Sequence, residues 1–299
     1  MSMRKYKKGL VLLGLLFSFA NAYADSTTDN PLQDGQPAQD QPKTVLEKQL
    51  ADQIKASENR LSISLFKPTY VLPYYYTGSP DYAVYANNTP DNQTVMHNEF
   101  KAQFSFLVPL VYDMFGWRNS AIEMAYTQLN YWQVYANSQY FRETDYNPEL
   151  FVQKFYQNYL FRAGVEHQSN GRGGLYERSW NRAYLTGQMS GSDWLVSVKV
   201  WTLIFAGESS DEHNPDILHY LGRDQIVLSK KWGNATFSVE AQNIESGFTR
   251  GYIEPTVSYQ FSKHMSFYGQ YFSGYGQSLI EYNHRTNSVG VGIAFNNWI

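Results

Sequence analysis

From Leu61 onward, apolar and polar residues alternate. Phe100, Ala102, Phe104, Phe106, Val108 and Leu110 interleave with Lys101, Gln103 and Ser105. Val196, Val198 and Val200 interleave with Ser197, Lys199 and Trp201, and Ala235, Phe237, Val239 and Ala241 with Thr236, Ser238, Glu240 and Gln242. The same beat runs through residues 253–260 and 265–271. A period of two belongs to a strand with one apolar face. Strand starts fall near residues 61, 97, 121, 149, 159, 179, 193, 222, 234, 249, 264 and 286, about twelve in all. In the last run Val289, Val291, Ile293 and Phe295 alternate with Ser288, Gly290, Gly292 and Ala294, as a closing strand would, although the chain ends on Ile299 and not on an aromatic. Pro255 brings no N–H to a ladder, so a local irregularity is expected there.

A secreted β-sandwich and a membrane barrel both alternate in this way. Two details favour the barrel. The runs reach the roughly 9–11 residues that cross a bilayer at a tilt. The polar faces carry Lys and Glu in mid-strand, which suits a filled, hydrogen-bonded lumen. Composition then agrees. The mean hydropathy of −0.47 resembles that of a soluble protein. Yet 17% of the residues are aromatic, as expected of a cylinder with a polar inside, an apolar outside and rings at both interfaces. The predicted fold is an all-β, transmembrane antiparallel barrel over residues 60–299.

The chain ahead of it has two parts. Arg4, Lys5, Lys7 and Lys8 precede an apolar stretch from Gly9 to Ala20 and the small-residue site Ala22-Tyr23-Ala24. Residues 1–24 therefore read as a signal peptide. Removing those four cations takes the formal charge from −3 to −7. An acidic chain with no basic block argues against nucleic acid as a partner. Residues 25–59 read as a disordered linker. Within it, Leu46, Leu50 and Ile54 predict a short helix over 44–59, which either covers one end of the barrel or has no structural part. There is no cysteine, so a disulfide framework, a thiol nucleophile and a Cys-ligated zinc are all excluded.

Chemistry concentrates in residues 167–182. His167 and Ser169 share a strand face with Ala163 and Val165, and Asn181 shares one with Ala183 and Leu185. A serine needs a base, and the base needs a third group to fix its tautomer. Ser169, His167 and Asn181 can fill those roles. Gly171 can offer a backbone N–H to an oxyanion, and Glu177 with the loop carbonyls supplies hard oxygens suited to calcium. A lone His-x-Ser is commonly surface decoration, and a glycine-rich loop is commonly just a turn. Placement on a lipid-facing wall, where polar groups are costly, makes these residues functional candidates. No G-x-S-x-G elbow occurs. His97, His213, His219, His264 and His284 lack ligand-like spacing and read as structural or rim residues.

The run His167-Gln168-Ser169-Asn170-Gly171-Arg172 with Arg178-Ser179-Trp180-Asn181-Arg182 resembles the signature of the outer membrane phospholipase A family. The likeness extends to Phe141-Arg142-Glu143-Thr144, residues 146–151, Asn214-Pro215-Asp216-Ile217 and residues 273–292, in the same order. The resemblance implies a twelve-stranded outer-membrane barrel that hydrolyses acyl esters of phospholipids and lysophospholipids from its outward wall, at the outer leaflet. It implies Ser169 as nucleophile, His167 as base, Asn181 as orienter and Gly171 as oxyanion donor. It further implies a calcium ion held by the Arg172 carbonyl, the Glu177 side chain and the Ser138 carbonyl of a second subunit, in an active homodimer. A relative carries serine where Glu177 stands and aspartate where Gly174 stands, so this chain adds one charge at the expected ligand and lacks another nearby. Gln128 shares an apolar stripe with Ile122, Met124 and Tyr126 and is the expected dimer contact. The rival readings are a passive porin or structural barrel and a secreted soluble esterase.

Overall fold

The computed structural model describes residues 43–57, 63–113, 116–204, 213–296 and 299. The expected signal peptide and the linker over 25–42 lie outside the described residues. The sheet opens with a two-residue strand, β1 (Ser64–Leu65). It continues through β2 (Thr69–Thr77), β3 (Asn98–Tyr112), β4 (Ser120–Trp132), β5 (Phe141–Tyr156), β6 (Tyr159–Ser169) and β7 (Ser179–Ser190). The remaining strands are β8 (Trp194–Leu203), β9 (Asp224–Trp232), β10 (Ala235–Gln242), β11 (Tyr252–Gln260), β12 (Ser266–Tyr275) and β13 (Arg285–Asn296). From β2 to β13 each strand pairs with its chain neighbours, and β13 pairs antiparallel with β2, so twelve strands close into a barrel. Closure leaves no unpaired edge for the bilayer to meet.

Alternation decides the two faces. Phe104, Phe106, Met124, Leu150, Phe161, Val165, Leu185, Phe237, Val257, Phe267 and Val291 are exposed on the outer wall. Their neighbours Ser105, Glu123, Glu149, Glu166, Ser238 and Ser258 are buried in the lumen. The lumenal charges pair. Lys67 reaches Glu149 at 2.5 Å, Lys199 reaches Glu166 at 2.8 Å, and Lys101 donates to Gln270 at 2.7 Å. Arg142 donates to both oxygens of Glu99 at 2.8 and 2.9 Å and to Glu281 at 2.8 Å.

Two strands start away from their expected places. β5 begins at Phe141 and not near 149. Its first half buries Arg142, Glu143, Asp145 and Asn147, and a register shift lies opposite Tyr131 and Trp132. The first barrel strand begins at Thr69 and not near 61, because Phe66 and Lys67 turn into the lumen, where Phe66 stacks on Phe151. At Pro255 the ladder with β12 skips Glu254 and Pro255, while the register on either side is unchanged. The irregularity is thus a gap and not a bulge.

The short turns and the longer connections lie at opposite ends. Helix α1 (Val45–Ser57) covers the short-turn end. It starts where Thr44 and Glu47 exchange backbone-to-side-chain bonds at 3.0 and 3.2 Å, a capping box. Leu46 packs with Phe155, Leu160 and Leu195, and the Gln53 amide bridges Glu123 and Gln153 at 3.1 Å each.

Candidate active site

The β6–β7 hairpin carries the candidate residues at the long-connection end. Its register sets His167 opposite Asn181, with Glu166 opposite Arg182 and Gln168 opposite Trp180 on the rungs to either side. Alternation therefore divides the hairpin. His167, Ser169 and Asn181 lie on the outward face with the exposed Val165 and Leu185. The lumenal face is tied by the Glu166–Arg182 ion pair at 3.0 Å and by Trp180 Nε1 donating to Gln168 at 2.8 Å. The inner bonds hold the backbone that the outer groups stand on.

On the outer face, His167 Nδ1 lies 2.8 Å from Asn181 Oδ1. With the amide oxygen as acceptor, Nδ1 carries the proton and Nε2 keeps its lone pair. Ser169 follows two residues later on the same face, roughly 7 Å along the strand. Among the described residues, no hydrogen bond reaches the Ser169 hydroxyl. Catalytic contacts of this kind are commonly loose before substrate binds.

A detail of β5 supports the base. Pro148 falls on the rung facing His167, where the backbone ladder is interrupted between Tyr146↔Ser169 and Glu149↔Glu166. Proline has no N–H to give, and Asn147 Nδ2 donates to the His167 carbonyl at 2.7 Å instead. The sequence signal for this repair is an Asn-Pro pair inside a strand. The cross-strand neighbour of Ser169 on this side is Tyr146.

Residues 170–178 connect the two strands. Asn170 N–H donates to the Arg178 carbonyl at 3.1 Å and closes the loop. Gly171 has φ +63°, and a Cβ there would come 2.8 Å from the Tyr146 ring, so both backbone and space call for glycine. Its N–H has no partner among the described residues. Arg178 donates to the Leu175 and Glu177 carbonyls at 3.0 and 2.7 Å. The Glu177 carboxylate and the Arg172 carbonyl accept no hydrogen bond among the described residues. No group of three or more His, Asp or Glu side chains there is placed to hold a metal, so a cation would draw on carbonyl oxygens beside Glu177. That donor set, all hard oxygen, suits calcium.

The structure does not bring Ser138 to this loop. It lies in the β4–β5 connection, where Gln93 Nε2 donates to its carbonyl at 2.5 Å and its hydroxyl bonds Asp91. Gln128 stands on β4 and is satisfied along its own strand, accepting from Tyr126 and donating to Asn130 at 2.8 Å each. The segments that carry the resemblance contain Asn147, Glu143 and Asn214, but the sequence assigned them no role. The last braces β7, accepting from Ser179 N–H at 3.0 Å and donating to its carbonyl at 2.9 Å.

Comparison with known proteins identifies the family. The family model described as Phospholipase A1 matches residues 46–295. Phospholipase A1 of Salmonella typhimurium is 35% identical over 260 residues, covering 83% of this chain and 86% of the relative. The Escherichia coli enzyme of the same name shows the same identity and coverage. Among solved structures, the Salmonella typhi outer membrane phospholipase dimer with bound calcium superposes with a TM-score of 0.71 at 34% identity, covering 79% of this chain and 92% of that one. Outer membrane phospholipase A from Escherichia coli superposes with a TM-score of 0.71 at 32% identity, covering 80% and 100%. The chain belongs to the phospholipase A1 family of carboxylic ester hydrolases.

Proposed function

We propose that this protein is a calcium-dependent outer-membrane phospholipase that cleaves acyl esters of phospholipids and lysophospholipids from its outward wall, as a homodimer. The observation that carries the reading is the His167–Asn181 bond at 2.8 Å on the lipid-facing side of a hairpin that also bears Ser169. Residues 1–24 direct export, and the long connections face outside, as is usual for such barrels. The site then lies level with the outer leaflet, where acyl chains already surround it.

Ser169 Oγ attacks the acyl carbonyl while His167 Nε2 takes its proton. The same nitrogen returns the proton to the departing glycerol oxygen, leaving an acyl-serine. Water, deprotonated by His167, then releases the fatty acid and frees Ser169. Asn181 keeps the imidazole in the tautomer with its lone pair on Nε2. Being neutral, it stabilises the imidazolium less than a carboxylate would, so more of the work falls on the oxyanion donors. The unpaired Gly171 N–H is the donor in place. The Arg172 carbonyl and the Glu177 carboxylate would hold calcium, with the partner subunit's Ser138 supplying its carbonyl. The ion, when bound, adds positive charge beside the developing oxyanion.

Ser169→Ala tests the assignment in detergent micelles containing lysophospholipid and calcium. Turnover should fall by at least about a thousandfold while the barrel stays folded and heat-modifiable. Wild-type turnover in the variant would remove Ser169 from the mechanism.

A further inference from the structure

The oxyanion donor sits in a glycine-rich loop, which by itself would sample many conformations. We infer that the lumenal carboxylate Glu143 is a positioning residue that holds this loop in its working shape, acting through Asn170 and Arg172. The inference rests on the reading of Ser169 as nucleophile and Gly171 as oxyanion donor.

Asn170 follows Ser169 directly and is buried on the lumenal side. Its Oδ1 accepts the N–H of Arg172 at 3.3 Å and of Arg178 at 3.0 Å. Its Nδ2 donates to the Tyr176 carbonyl at 2.9 Å and to Glu143 Oε1 at 3.0 Å. One amide therefore gathers both limbs of the loop. Glu143 Oε2 accepts Arg172 Nε at 2.8 Å, and Glu143 Oε1 also takes the Ile280 N–H at 3.3 Å. Arg172 Nη2 reaches back to the Arg142 carbonyl. The residues on both sides of Gly171 are thus anchored to the same buried carboxylate. Between them Gly171 lies against the outward ring of Tyr146 in a left-handed conformation, with its N–H unpartnered among the described residues. Its two neighbours are held from inside the barrel, so Gly171 has no freedom to swing away from the outer wall.

The chemistry of the arrangement is specific. A donor to an oxyanion is effective when it is already aimed, since reorienting it during the reaction forfeits its benefit. The guanidinium of Arg172 and the carboxylate of Glu143 form an ion pair, so the clamp adds no net charge beside the nucleophile. Glu143 touches no reacting atom. Its contribution is the fixed placement of residues 170–172, and its loss should appear in the transition state and not in lipid binding.

The test uses the full chain in micelles with saturating calcium. Glu143→Gln keeps the shape and loses the charge; Asn170→Ala removes the hub. Each should lower kcat by about tenfold to a hundredfold with KM within about twofold, less than the 10²–10³ attached to deleting an oxyanion donor. Labelling of Ser169 by a long-chain sulfonyl fluoride, located by mass spectrometry, runs in parallel. A wild-type chain that is not labelled at Ser169 defeats the parent reading whatever the variants do. A labelled wild type with folded variants that keep its kcat, or that change only KM, overturns the role of Glu143. Amide hydrogen exchange on the wild type needs no variant. The Arg172 and Arg178 amides should be protected and that of Gly171 should exchange freely. If all three exchange alike, the clamp does not exist, and this result decides the matter should a variant fail to refold.

Discussion

In the proposed triad, Asn181 is an unusual third partner for a serine–histidine pair because it carries no charge. Its bond to His167 Nδ1, 2.8 Å long, fixes orientation and tautomer but adds little to the stability of an imidazolium. Asn181→Ala should therefore lower kcat by on the order of tenfold to a hundredfold, a part of the 10²–10⁴ that a positioned base supplies. His167→Ala should lose the whole of that contribution. Both are read by steady-state hydrolysis of lysophospholipid at fixed calcium. If Asn181→Ala is as inactive as His167→Ala, the amide does more than orient. Glu177 raises a second question at this scale. A carboxylate that accepts no hydrogen bond among the described residues is a stronger calcium ligand than a serine, since it brings a full charge. Glu177→Ser should raise the calcium concentration at half-maximal activity while leaving activity at saturating calcium nearly intact. An unchanged calcium titration would take Glu177 out of the site.

At the scale of strands, the hairpin is only as firm as its neighbour β5. Pro148 breaks the ladder opposite His167, and Asn147 repairs it with a side-chain donor to the His167 carbonyl while its Oδ1 accepts Lys67 Nζ at 3.3 Å. Asn147→Ala leaves that carbonyl without its donor and should destabilise the barrel by about 1–3 kcal/mol. The urea midpoint in micelles reads the loss, and an unchanged midpoint would mean that the ladder closes without Asn147. The same strand explains what the sequence could tell. β13 was legible because Val289 and Val291 face lipid between the small lumenal Ser288, Gly290 and Ala294, and β12 because Phe267 and Tyr271 outside alternate with Ser266 and Gln270 inside. The start of β5 was not, because Thr144, Tyr146 and Pro148 outside include no aliphatic residue and Pro148 is a poor strand former, so the contrast with Glu143, Asp145 and Asn147 inside is weak. His167, Ser169 and Asn181 could be placed on one wall because a hairpin register follows from period and turn length. The clamp at Asn170 could not, because its acceptor Glu143 lies 27 residues earlier on another strand, and no local periodicity reports a pairing across strands.

The lumen is crossed by ion pairs and covered at one mouth, and these properties set the barrel's behaviour in a membrane. Lys67 and Lys199 line both lumenal cavities, of about 200 and 400 Å³, and are bonded to Glu149 and Glu166 between them. With α1 across one mouth, the protein in a planar bilayer should show little steady conductance; a large, stable porin-like conductance would contradict this filled lumen. In the proposed homodimer, regulation would act from outside the cylinder, where two barrels would meet. The proposed calcium site draws one ligand from a second copy, since Ser138 is bonded to Gln93 and Asp91 and makes no hydrogen bond with its own 170–178 loop among the described residues. Gln128 alone cannot hold such a pair. Interhelical or interbarrel polar bonds in lipid contribute only about 0.6–2 kcal/mol, and its amide already has partners along its own strand. A cation bound only by the dimer would supply the missing coupling, about 2.7 kcal/mol for each of the two equivalent sites of a two-fold dimer when calcium exceeds its dissociation constant a hundredfold. Sedimentation in detergent should therefore show dimers with calcium and association weaker by about ten-thousandfold in excess chelator, with hydrolysis lost in step. Gln128→Leu should weaken association in both conditions by a smaller factor. Equal association with and without the ion would separate dimerisation from calcium and leave the metal, if it acts at all, working within a single barrel.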